Sequence, residues 1–140
     1  MPTLDDFKKL HERYISDAEL LYRYERYDSA YYLAGYSVEC LLKAIICKNI
    51  QPNEFPPKNP SNTHYIHNIE QLIKTAKLDK EFEFDRGKSD ELKNSYLLLK
   101  DWDPADLRYN TGPTSQKKAK DFLDAVKDEK GFVSWLNKRL

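Results

Sequence analysis

Tyr32, Tyr36, Glu39 and Lys43 follow one another at steps of four, three and four, the repeat that keeps side chains on one face of a helix. With Ser29 they form the one polar-tipped stripe of the helical run in the stretch from Arg26 to Asn49, which is otherwise nearly all apolar, aromatic or small. Residues of these types can do two kinds of work. Glu39 and Lys43, with the acid first, suit an ion pair across one helical turn. Phenol rings beside cations suit a ligand that carries a base and a phosphate. Arg108 and Tyr109 complete the second reading: set opposite the stripe, they would close a groove in which Arg108 and Lys43 meet phosphate and tyrosine rings stack on a base. The plainer reading is that the pair and the hydroxyls satisfy one another at a half-buried edge.

The chain has three histidines, His11, His64 and His67. His67, at the start of a helical pattern, is expected to bond a neighbouring backbone group or Glu39, with a catalytic role as its alternative. His64 and His67 have the i, i+3 spacing that two ligands on one helix could use, but no cysteine or acidic cluster accompanies them, so neither a metal site nor a cofactor is expected. His11 is expected to be solvated on the flank of the first helix. Cys40 reads as a small buried hydrophobe without a basic neighbour to activate its thiol.

Twenty-three basic and 23 acidic side chains in 140 residues leave a net charge of zero. That excludes a strong electrostatic footprint for duplex nucleic acid or an anionic membrane, though a few clustered cations suffice for weak RNA binding. Cys40 and Cys47, seven positions apart on a helix, would be separated by about 10 Å, too far for a disulfide. A reducing, cytoplasmic compartment is expected. "MPTLDDFKKL" lacks the succession of a signal peptide, and Glu39 and Lys43 interrupt the apolar run, so no membrane span is expected.

Helical periodicity runs through nearly the whole chain, which predicts an all-α, up-and-down bundle of four to five helices forming one domain over 1–140. Helix one starts after Thr3 and runs to about Glu25, and Asp28 is expected to cap helix two, which ends near Asn49. The short link between them predicts an antiparallel hairpin. Helix two is apolar almost all round and belongs at the centre, and Ala34 and Gly35 would let another backbone approach it. "IQPNEFPPKNPSNTH" reads as a long surface loop. A third helix carries Ile66, Ile69, Leu72, Ile73 and Ala76, "EFEFDRGKSD" is a polar link, and a fourth helix turns Leu92, Tyr96, Leu99 and Trp102 inward. Leu97 and Leu98, off that stripe, suit an oligomer face or a fifth-helix contact. "DWDPADLRYNTGPTS" is a second irregular link, with Trp102 as an anchor that could pin it. Ser115 is expected to cap the last helix, which Gly131 kinks or breaks.

"RYDSAYYLAGYSVECLLKAII", the downstream "HYIHNIEQL", and "WDPADLRYN" before a final long helix resemble the HEPN family of α-helical domains over almost the whole chain. The resemblance implies a helical bundle, commonly a homodimer, in proteins linked to RNA cleavage, toxin and antitoxin pairs and antiviral defence, often beside a minimal nucleotidyltransferase. Ribonuclease members of that family carry an arginine followed by a histidine after four to six residues, and no arginine here has one. After Arg108 stand Tyr109 and Asn110, a phenol whose ordinary pKa is about 10 and an amide that does not titrate usefully. Three functions follow: a non-cleaving bundle that binds a nucleotide, RNA or a protein partner; a divergent metal-independent ribonuclease in which His67 folds beside Arg108; and an assembly subunit for a nucleotidyltransferase.

Overall fold

A computed structural model describes residues 2–50, 67–109 and 111–140. Its described residues form eight helices and no β-strand: α1 (Leu4–Arg23), α2 (Tyr27–Lys48), α3 (Ile69–Thr75), α4 (Asp79–Arg86), α5 (Asp90–Leu99), α6 (Pro104–Tyr109), α7 (Gln116–Lys127) and α8 (Phe132–Asn137). The expected all-α bundle is therefore present. Most of the expected proline-rich loop, together with His64, Ile66 and Asn110, lies outside the described residues.

Helix α1 begins as the sequence predicts. Thr3 Oγ1 accepts from the Asp6 amide at 3.2 Å and Asp6 Oδ2 accepts from the Thr3 amide at 2.9 Å, a reciprocal cap that satisfies two otherwise orphaned donors. Its far end closes through Glu25, whose φ of 62° lets the Arg26 amide reach back to the Leu21 carbonyl at 2.9 Å. That tight turn folds α2 back along α1. Asp28 does not cap α2: the N-cap is Arg26, without a side-chain bond, and Asp28 sits inside the first turn.

Helix α2 packs against α1, α3, α6, α7 and α8 and forms the centre of the bundle. It is long and apolar enough to cross a membrane by length and composition, yet most of its apolar window is buried among the other helices. Ala34, Val38, Leu41, Leu42 and Ala44 are wholly buried. Gly35 does admit a close neighbour, but it is the Trp102 indole rather than a backbone: a Cβ at Gly35 would stand 1.9 Å from Trp102 Nε1. Trp102 is 1 % exposed and anchors the chain between α5 and α6 on the central helix.

Two stretches expected to be irregular are helical. "EFEFDR" lies within α4 because Phe82, 3 % exposed, packs edge-on against Tyr96 and Phe132, with centroids 4.7 and 5.1 Å away. One buried ring among charges leaves no periodic signal, so tertiary packing decides the conformation. Pro104 starts α6 rather than breaking a helix, since its missing N–H falls where no intrahelical bond is made. Leu92, Tyr96, Leu99 and Trp102 are buried as expected, and Gly131 separates α7 from α8. Ser115 caps α7 by accepting from the Lys118 amide at 3.0 Å.

Candidate functional site

The α2 stripe divides into two groups. In the first, Tyr32 and Tyr36 lie one turn apart with hydroxyls separated by 3.4 Å and rings edge to face at 5.0 Å. Trp102 backs them, its centroid 5.0 Å from Tyr36 and 6.3 Å from Tyr32. Arg108 arrives from α6, donating from Nε to the Tyr32 hydroxyl at 3.3 Å and from Nη2 to the Tyr36 hydroxyl at 3.1 Å. The expected meeting of Arg108 with the stripe takes place, and it takes place through both phenols.

The electrostatics follow from that contact. Bonds from the Tyr32 and Tyr36 oxygens hold the Arg108 guanidinium still more firmly in its charged form. Burial pushes the Tyr36 phenol up to about 12, with its bond to Tyr32 acting the same way. Burial also opposes ionisation of Tyr32, but its bonds to Tyr36 and Arg108 outweigh this and draw the phenol below its ordinary value. The cation thus sits beside two neutral oxygen acceptors, oriented and still charged. Next to it opens a cavity of about 510 Å³, walled by Tyr32, Arg108, Asp28, Ser29 and three leucines among others.

The second group is the charged pair. Glu39, 3 % exposed, accepts from Lys43 Nζ at 3.0 Å on one oxygen and meets His67 Nδ1 at 2.9 Å on the other. Burial of both charges is tolerable because each has a partner of opposite sign or a donor. The His67 side chain is about half exposed, and its bond to Glu39 is the one expected. His67 lines another concavity with Asp101, Trp102 and Asp103, whereas Arg108 lines the first. Among the described residues the two share no hydrogen-bond partner, and the two concavities have no lining residue in common. Tyr109, by contrast with Arg108, is 82 % exposed and does not face the stripe.

His11 departs from expectation. It is buried, not solvated, and its Nδ1 lies 2.7 Å from the Ser37 carbonyl of α2, a donor position that joins the first two helices. Burial lowers its pKa and holds the ring neutral. Its position in phase with Phe7 and Ala18 was the available signal, and a polar residue on an apolar face needs a partner that no sequence displays. Cys40 is buried and free, its thiol raised to about 12 first by burial and then by Glu39. Cys47 is also buried, and neither cysteine is in a disulfide. Among the described residues no three His, Cys, Asp or Glu side chains gather so as to hold a metal ion.

Compared with known protein families, residues 11–139 match the HEPN domain. No curated protein and no solved structure gave a match.

Proposed function

The chain belongs to the HEPN domain family, and from that premise we propose that it is a non-cleaving member that dimerises and binds a nucleotide or RNA-type ligand between α2 and α6. One observation carries this reading. Arg108, charged and exposed, is aimed by two phenols at the edge of a cavity large enough for a small ligand. Two of its five N–H donors are used in that aiming, and a guanidinium offers phosphate a planar fork.

Cleavage is the weaker reading because the arginine-to-histidine spacing is absent and His67 is bonded to Glu39 in a separate concavity. General acid and base groups must reach the same substrate. Leu97 and Leu98, 45 % and 49 % exposed on α5, provide an apolar surface for the homodimer. A nucleotidyltransferase is the protein partner that the family resemblance favours, in a cytoplasmic toxin–antitoxin or defence setting.

The test is fluorescence anisotropy with labelled single-stranded RNA, run beside a cleavage assay containing chelator. Binding without cleavage, weakened at least about tenfold by Arg108→Ala, is the expected result. Cleavage by the parent that both Arg108→Ala and His67→Ala abolish would replace this reading with a ribonuclease.

A further inference from the structure

The cavity beside Arg108 carries one cation and one anion on its wall. Arg108 stands on α6 and Asp28 in the first turn of α2, while Leu21, Leu33 and Leu107 supply the apolar part. Asp28 is fixed there because its Oδ1 accepts from the Thr114 amide at 2.5 Å, tying the segment before α7 to α2. The carboxylate is therefore part of the wall and not a passing surface charge.

Resting on the nucleotide reading above, we infer that this cavity takes a free nucleoside monophosphate and disfavours di- and triphosphates. Size supplies the first reason. A volume of about 510 Å³ lies within the range of small-ligand pockets and accommodates one base and sugar. Charge supplies the second. Among the described lining residues Arg108 is the one cation, so it can pair with one phosphate, and every further phosphate adds negative charge near Asp28. The third is the division of the wall: the Tyr32 ring and the leucines offer a face for a base, and Ser29 and Asp28 offer acceptors for ribose hydroxyls or an exocyclic amine.

The experiment is isothermal titration of the full chain with the four nucleoside monophosphates, the matching triphosphates and the unphosphorylated nucleosides, repeated with Asp28→Asn at low and high salt. Asparagine keeps an acceptor for Thr114, and a thermal melt checks that the variant folds. At least one monophosphate should bind about fivefold more tightly than its triphosphate at low salt. Asp28→Asn should narrow that gap by strengthening triphosphate binding, and high salt should narrow it in the parent. A triphosphate that binds as well as its monophosphate, a nucleoside that binds as well as either, or a gap indifferent to Asp28→Asn overturns the inference. If labelled RNA binds in an Arg108-dependent way while no mononucleotide does, the inference falls and the broader reading stands. If neither RNA nor nucleotide binds, both fall.

Discussion

Arg108 and Arg139 both lie among aromatic rings, and the protein uses them in opposite ways. Arg139 stacks 3.7 Å from the Trp135 ring centroid, bonds Glu81 at 2.6 Å and Asp85 at 3.0 Å, and donates to the Trp135 carbonyl at 2.8 Å. Trp135 Nε1 donates to the same Asp85 at 2.8 Å, so the cluster binds the end of α8 to α4. Two carboxylates surround that guanidinium, and its charge is consumed in holding the bundle together. Arg108 meets two phenols, and among the described residues no carboxylate forms an ion pair with it. The phenols orient the guanidinium without cancelling it. Aromatic neighbours alone do not separate a structural arginine from a binding one; the charge of its hydrogen-bond acceptors does.

The largest test of that contrast removes the support under Arg108. Trp102→Ala should cost about 3–5 kcal/mol in urea unfolding, because a fully buried indole leaves a cavity over Gly35. Nucleotide or RNA binding should fall with it, since α6 loses its anchor on α2. Retained binding at a temperature where the variant is folded would show that α6 docks without Trp102.

Next in size is Glu39→Gln, expected to destabilise by roughly 3 kcal/mol because it removes the buried charge that Lys43 and His67 both meet. Combining it with Lys43→Met should recover much of the loss. A single variant as stable as the parent would mean that the Glu39 charge contributes little to the fold.

The two arginines themselves give the sharpest comparison. Arg139→Ala should lower stability by about 1–2 kcal/mol through lost bonds and ring packing, with ligand affinity unchanged. Arg108→Ala should do the reverse, leaving the unfolding midpoint in place and weakening binding at least about tenfold. Similar losses of stability in both variants, with no separate effect on binding, would erase the distinction.

The smallest effect is on pH dependence. Burial places the His11 pKa in the folded chain below its ordinary 6.5, so as pH falls the unfolded chain takes up the proton first. The stability that neutral His11 contributes is complete above pH 6.5 and is lost as pH falls from 6.5 through the lower folded value. His11→Gln should flatten unfolding free energy against pH across that window. An unchanged slope would mean that groups other than His11 govern mild-acid stability.

Much of the frame was legible in the residues. Helices α1, α2, α5 and α7 show apolar side chains in phase, and Thr3 and Ser115 mark starts that the structure bears out. Asp28 looked like a cap because a cap is identified by residue type, whereas the Glu25 turn placed the helix start one residue before it. Helix α4 escaped because its buried face is a single phenylalanine, and His11 escaped because its partner is a backbone carbonyl 26 residues away.

Within the candidate site the same boundary holds. The order Tyr32, Tyr36, Glu39, Lys43 by itself determined one shared face and the Glu39–Lys43 pair, because helical spacing converts sequence separation directly into distance. Tertiary structure alone decided that Arg108, 76 residues beyond Tyr32, turns onto both phenols while adjacent Tyr109 turns to solvent. Successive residues on a short helix point about 100° apart, and which of them faces inward depends on how Trp102 seats the segment over Gly35.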